Sequence, residues 1–238
     1  MNKPLRFLVI LSIVLISGVL INAKQNTDIQ VTETTKENDK NTSDLYEIKA
    51  LKIPEGLNFA GERVPVEKND IRERMDRELL VNTYWQSNGL LMFNRCRWEL
   101  RIIEPILAEN GIPDDFKYLA VAESGLLIDN PSSAKASGLW HFLPSTAKEK
   151  RFNLEVNKNV DERYHIEKST IAAAIYLKSA KRKFGSWTLA AASYNAGVGR
   201  ISERLNTQKV DSYYDALLPD ETERYIFRIL AIKEVMTH

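Results

Sequence analysis

Residues Asp114–Leu143, DDFKYLAVAESGLLIDNPSSAKASGLWHFL, carry the pattern that decides the fold. Pro113 and the acidic pair Asp114–Asp115 mark a helix start, because negative side chains suit the partial positive charge of a first turn. Phe116, Leu119, Ala120 and Glu123 then fall at i, i+3, i+4 and i+7, which is one face of a helix. Gly125 can end that helix in a left-handed conformation that costs a residue without Cβ nothing. A carboxylic acid therefore sits in the last turn, on the stripe that faces the interior or a cleft. Burial disfavours its charged form, and so does the negative end of the helix dipole. Both push the pKa of Glu123 upward, and a carboxyl that keeps its proton near neutral pH can donate it.

The same spacing also fits a structural acid paired with a buried arginine, and spacing does not separate the two. The accompanying residues do. Glu123-Ser124-Gly125, then Ser132, then Ala136–Ala147 (ASGLWHFLPSTA) and Ser193–Gly197 (SYNAG) closely resemble the lytic murein transglycosylases with the goose-lysozyme-like catalytic domain, the SLT domain. Residues 160–200, VDERYHIEKSTIAAAIYLKSAKRKFGSWTLAAASYNAGVGR, look like the membrane-bound D-type branch. The likeness runs from about residue 90 to the C-terminus, and several ordered motifs are far more specific than one short pattern.

The resemblance implies a mainly α, lysozyme-like (goose-type) helical domain with an extended N-terminal arm. It implies that Glu123 is the catalytic acid and that the glycan strand of peptidoglycan is the substrate. It further implies that Ser124, Ser132, His141, Leu143, Tyr194, Asn195, Glu221 and Tyr225 form the substrate-binding set. Ser132 matches the family's active-site serine, Tyr194 and Asn195 its cleft residues, and Glu221-Thr222 with Tyr225 a motif near the acid. His141 and Leu143 depart from the family's usual Gln and Met, and Lys135 stands where a Gly is common. A neutral imidazole can give or take a single hydrogen bond at each nitrogen but cannot copy an amide. The reaction implied is cleavage of the β-1,4 bond between N-acetylmuramic acid and N-acetylglucosamine without water, leaving a 1,6-anhydro end. A goose-type hydrolase and a non-catalytic peptidoglycan-binding module are the alternatives that share these motifs.

The rest of the 238 residues bounds the answer. A net charge of +1 leaves no electrostatic footprint for nucleic acid. Cys96 is the single cysteine, so no intrachain disulfide can form. His141, His165 and His238 lack metal-ligand spacing, and no cofactor or metal is expected.

Four segments are expected along the chain. Residues 1–23 read as a signal peptide or signal anchor, with Lys3 and Arg6 before the apolar run Phe7–Ile21 and a small residue, Ala23, at the cleavage point. Either outcome exports the rest to the periplasm, and a retained anchor also ties it to the membrane. Residues 24–50 form a polar stem too poor in apolar residues to offset the entropy of ordering. Residues 51–89 hold an arm punctuated by Pro54, Gly56, Gly61 and Pro65, followed by a helix over Asn69–Asn88 that Gly89 breaks. Its stripe is Ile71, Met75, Leu79 and Tyr84, widened by Leu80 and Val81, with Arg72, Arg74, Asp76, Arg77 and Glu78 on a solvated face. Residues 90–238 are the catalytic domain. In it the spacing predicts helices over Met92–Asn110, with Trp98, Ile102, Ile106 and Leu107 inward, and over Ser169–Phe184, with Ile171 on the apolar face. Further helices are predicted over Trp187–Tyr194, Val198–Leu205 and Pro219–Val235. Asp161-Glu162-Arg163 is expected to pin a loop through ion pairs.

Overall fold

A computed structural model describes residues 51–84 and 86–237. The signal or anchor over 1–23, the stem over 24–50 and His238 lie outside the described residues. The rest belongs to one unit, Ala50–His238, and it is mainly helical.

A short hairpin comes first. Strands β1 (Asn58–Phe59) and β2 (Glu62–Arg63) pair antiparallel, and Ala60 and Gly61 turn the chain with positive φ. Helix α1 (Asn69–Thr83) follows, then α2 (Gln86–Glu109), a 3₁₀ turn over Asp114–Phe116 and α3 (Lys117–Ser124). After a loop come α4 (Pro144–Ala147), α5 (Ile166–Phe184), α6 (Trp187–Ala196), α7 (Val198–Gln208) and α8 (Asp220–Thr237). Among the described residues no helix is long and apolar enough to cross a membrane.

Helix α8 is the centre. Tyr225, Ile226, Phe227, Ile229, Leu230, Ala231 and Ile232 are all buried, so apolar side chains cover it nearly all round. Such a helix must be enclosed by others, and α1, α3 and α6 pack against it. The start of α6 is held by Glu62 from β2. That carboxylate accepts the Thr188 and Trp187 amide hydrogens and the Ser186 and Thr188 hydroxyls, and it pairs with Lys181 at 3.0 Å. An anion at a helix N-terminus satisfies donors that the helix itself leaves open.

Several expectations change. The break after α1 falls at Tyr84, and Gly89 lies inside α2, which also runs through Pro105. In α2 the inward stripe is Cys96, Leu100, Ile103 and Leu107, at i, i+4, i+7 and i+11. Trp98 and Ile102 sit two residues off that stripe, about 200° round the helix. Trp98 is accordingly 70% exposed, with the Arg101 guanidinium over its ring at 5.6 Å. Ile171 is exposed as well, because Thr170, Ala173, Ala174 and Leu177 take the inner side of α5. Leu80 and Val81 are exposed rather than part of the core. Glu78 is not solvated: it is 1% exposed, takes a hydrogen bond from Nε of Arg224 in α8 at 2.7 Å and forms an ion pair with the same guanidinium at 2.7 Å. A buried carboxylate of this kind persists because a half-buried guanidinium answers its charge.

Burial alone would raise the pKa of Glu62, but its hydrogen bonds from Thr188, Trp187 and Ser186 outweigh that and hold it at about 2. Its contribution to stability is then full above the ordinary 4.5 and fades as pH falls towards 2. Glu62→Gln is expected to cost about 2 kcal/mol at pH 7. Urea unfolding of both proteins should show the gap closing between those two pH values, and a gap that stays constant there contradicts the assignment.

Candidate active site

Helix α3 delivers Glu123 as its pattern requires. Phe116, Leu119 and Ala120 are fully buried, and Gly125 ends the helix with φ 57° while its N–H bonds the Val121 carbonyl. The Glu123 side chain is 16% exposed, sunk but open on one side. From α8 the Tyr225 hydroxyl donates a short hydrogen bond to Glu123 Oε1. Burial also drives the Tyr225 pKa far above its ordinary value, so this phenol remains a donor. Burial is the largest influence on Glu123 and raises its pKa. The Tyr225 bond and the positive charge of Arg228 pull the other way, and Glu221 adds a further upward push. The result is about 7, against an ordinary 4.5. Because Oε1 already accepts from Tyr225, the acid proton belongs on Oε2.

Oε2 faces His141, whose Nδ1 lies 3.7 Å away. The Nε2 of His141 is 3.2 Å from the Asn130 carbonyl, which can only accept, so in the neutral ring Nε2 carries the hydrogen and Nδ1 the lone pair. Burial lowers the His141 pKa, so the ring stays neutral beside a protonated acid.

His141 owes its place to a pinned turn. Ser137 and Phe142 bridge antiparallel, and Gly138 (φ 75°) and His141 (φ 46°) turn the chain between them. Carbonyls of this turn and its flanks meet side-chain donors from other elements. The buried Ser124 hydroxyl lies 2.9 Å from Leu139 O, and it also takes the Leu126 amide hydrogen. The Tyr194 hydroxyl donates to Trp140 O at 2.8 Å. Arg163 donates to Phe142 O at 2.9 Å and to Lys135 O at 2.7 Å, while Asp161 clamps the same guanidinium. The expected ion-pair pinning by Asp161 and Arg163 is thus present. Lys135, in place of the family's glycine, adopts φ 62°.

The other sequence-derived residues lie around this turn and the start of α8. The hydroxyl of Ser132 accepts the Ala136 amide hydrogen within the loop. Leu143 is exposed. Asn195 donates to Glu221 at 3.1 Å and accepts from the Thr222 hydroxyl at 2.8 Å. The Tyr194 ring packs edge-on against Trp140, Phe142 and Tyr176.

Beside Glu123 lies a cavity of about 580 Å³. Of the expected site residues, Glu123 and Ser124 line it. Its remaining wall includes Glu78, Tyr84, Arg95, Arg224 and Arg228, which the sequence reading did not assign to a site. The i, i+4 spacing of Arg224 and Arg228 around Tyr225 was the available signal. Among the described residues no cluster of His, Cys, Asp and Glu is arranged to hold a metal ion.

Comparison with known proteins fits this geometry. Residues 102–216 match the family model described as the transglycosylase SLT domain, and the chain therefore carries an SLT domain. Over 180 residues it is 27% identical to the membrane-bound lytic murein transglycosylase D of Escherichia coli strain K12, covering 73% of this chain and 38% of that protein. The same figures hold for the protein of that name from Escherichia coli O6:H1 strain CFT073. A putative tributyltin chloride resistance protein of Alteromonas sp. strain M-1 is 28% identical over 102 residues, 42% of this chain and 48% of that one. The likeness supports the D-type branch, although the chain spans 38% of the length of the two Escherichia coli relatives.

Gly138 tests the pinned turn. A Cβ there would lie 1.9 Å from the Arg163 carbonyl oxygen, and φ is already left-handed. Gly138→Ala is expected to cost at least about 2 kcal/mol, a fall in Tm of roughly 5 °C or more in thermal unfolding. An unchanged Tm contradicts the close approach.

Proposed function

We propose that this chain is a lytic transglycosylase with a goose-lysozyme-like catalytic domain and an N-terminal arm. Its substrate is the glycan strand of bacterial peptidoglycan. The observation that carries this reading is the Glu123 carboxyl, desolvated, held by Tyr225 and keeping its proton to about pH 7 at the edge of a sugar-sized cavity. The SLT match and the D-type relatives support the same reaction class. Residues 1–23 would export the protein to the periplasm as a cleaved signal or a retained anchor.

In this mechanism Glu123 Oε2 gives its proton to the glycosidic oxygen as the bond from C1 of N-acetylmuramic acid breaks. The sugar's own acetamido oxygen shelters the cation that develops at C1, a substrate-assisted route that needs no carboxylate nucleophile. Glu123, now ionised, takes the proton of the muramic C6 hydroxyl, and O6 closes onto C1. The ring closure consumes no water, and the acid ends protonated as it began. The Tyr225 hydrogen bond stabilises the carboxylate stage, while the desolvated seat favours return of the proton. His141, neutral at Nδ1, leaves the acid protonated before reaction. Ser124 and Tyr194 act by holding the turn that carries His141. Ser132, Leu143, Asn195 and Glu221 line the approach to the sugar.

Hydrolysis is the competing outcome, and it would need a second carboxylate to place water. Glu221 lies close enough to influence Glu123, but its carboxylate accepts from Asn195. Mass spectrometry of sacculi digested by the full chain is expected to show 1,6-anhydro ends, with release lost in Glu123→Gln. Activity should fall as pH rises through about 7, as the acid loses its proton. Reducing ends would select hydrolysis, and unimpaired cleavage by the variant would remove Glu123 from the reaction.

A further inference from the structure

The cavity wall next to Glu123 carries more positive charge than the chain itself neutralises. Three guanidinium groups line it, those of Arg95, Arg224 and Arg228. Glu78 answers Arg224 at 2.7 Å. Arg95 uses Nε to hold the Gly125 carbonyl at 2.7 Å, which leaves its two terminal nitrogens free of any protein acceptor among the described residues. Arg228 has no hydrogen-bond or ion-pair partner among the described residues, although it is half-buried and its charge reaches Glu123. Glu78 and Glu123 are the acidic residues of the lining. The first is committed to Arg224, and the second must be protonated to act. Two guanidinium groups therefore face one cavity of about 580 Å³ without a counter-ion from the protein.

Partly desolvated guanidinium groups are costly to leave without an acceptor, and their planar donor fork matches a carboxylate. We propose that the wall formed by Arg95 and Arg228 is a subsite for a carboxylate carried on the C3 side arm of N-acetylmuramic acid. This rests on the peptidoglycan reading given above and adds which feature of the strand is recognised. Such a carboxylate has two sources. It is the lactyl group itself on strands stripped of peptide, or the acidic residues of the stem on strands that retain it. N-acetylglucosamine carries neither, so the subsite distinguishes the two sugars of the strand and fixes the register in which Glu123 meets the glycosidic bond. Tyr84, exposed at the rim of the same cavity, offers a flat face for a sugar ring.

The test measures binding by calorimetry with the full chain carrying Glu123→Gln, so that no strand is cut and loss of Arg228 cannot act through the catalytic acid. Three probes are compared: chitotetraose, which is neutral, an amidase-stripped muramyl tetrasaccharide, and the same tetrasaccharide with its stems. At least one anionic probe is expected to bind about tenfold tighter than chitotetraose. Added salt and Arg228→Gln should each reduce that advantage, with chitotetraose affinity little changed. Arg95→Gln should act the same way, with thermal unfolding to check that the end of α3 survives loss of the Gly125 bond. An advantage confined to the stripped probe assigns the lactyl carboxylate, which the stem-bearing probe carries only as an amide; one confined to the stem-bearing probe assigns the stem, and one shared by both shows that the wall takes either carboxylate. Equal binding of all three probes, or an advantage untouched by salt and by Arg228→Gln, overturns the inference. Release of anhydro ends by the wild-type chain is a separate readout, so the subsite can fail while the transglycosylase reading stands.

Discussion

A carboxyl group that must keep its proton near neutral pH has to leave water without gaining a strong cationic partner. The surroundings of Glu123 meet both demands. The central helix α8 and the pinned turn take the carboxyl out of solvent. The group that touches it is a phenol rather than an ammonium or a guanidinium. Arg228 is near enough to pull its pKa down, yet burial prevails. A direct ion pair would reverse that balance and leave a permanent carboxylate, which cannot donate a proton. The arginine that could have made Glu123 a structural residue is instead turned to the cavity beside it.

The fold around this carboxyl is a set of restraints on a few short segments. Helix α8 supplies Tyr225 from within the core, where its ring is fixed by packing on all sides. The turn over Gly138–His141 has little regular structure of its own, and the carbonyls of Leu139, Trp140 and the following Phe142 are held from other elements: by Ser124 of α3, Tyr194 of α6, and Arg163. Hydroxyls that the family resemblance assigns to substrate thus have protein partners as well. They transmit the positions of α3 and α6 to His141. The hairpin contributes at a distance, because Glu62 fastens the first turn of α6 and hence the helix bearing Tyr194 and Asn195.

Local patterns were legible in the sequence and distant pairings were not. The i, i+3, i+4, i+7 run ending in Glu123, with Gly125 behind it, specified the helix and the inward face of the acid, because that information lies within about three turns, whereas the burial that lifts the pKa is completed by α8 and the distant turn. Gly185 likewise marks the end of α5 in a left-handed conformation. The sequence alone does not fix the phase of α2, since Trp98 and Ile103 are both apolar and only the neighbouring helices decide which faces inward. Glu78 looked solvated because its partner Arg224 is 146 positions away. The Glu62 anchor spans 119 to 126 positions and leaves no periodic trace. The charged wall of Arg95 and Arg228 was hidden for the same reason, being drawn from α2 and α8, which are far apart in the chain.

The role proposed for Glu123 depends on the protonation state of its carboxyl. The direct measurement is a carbon-13 titration of the Glu123 carboxyl in the full chain, assigned by its absence in Glu123→Gln. A midpoint at about pH 7 is the predicted result. A midpoint near the ordinary 4.5 would contradict the account, because the residue would then be ionised at the pH where it has to act as an acid.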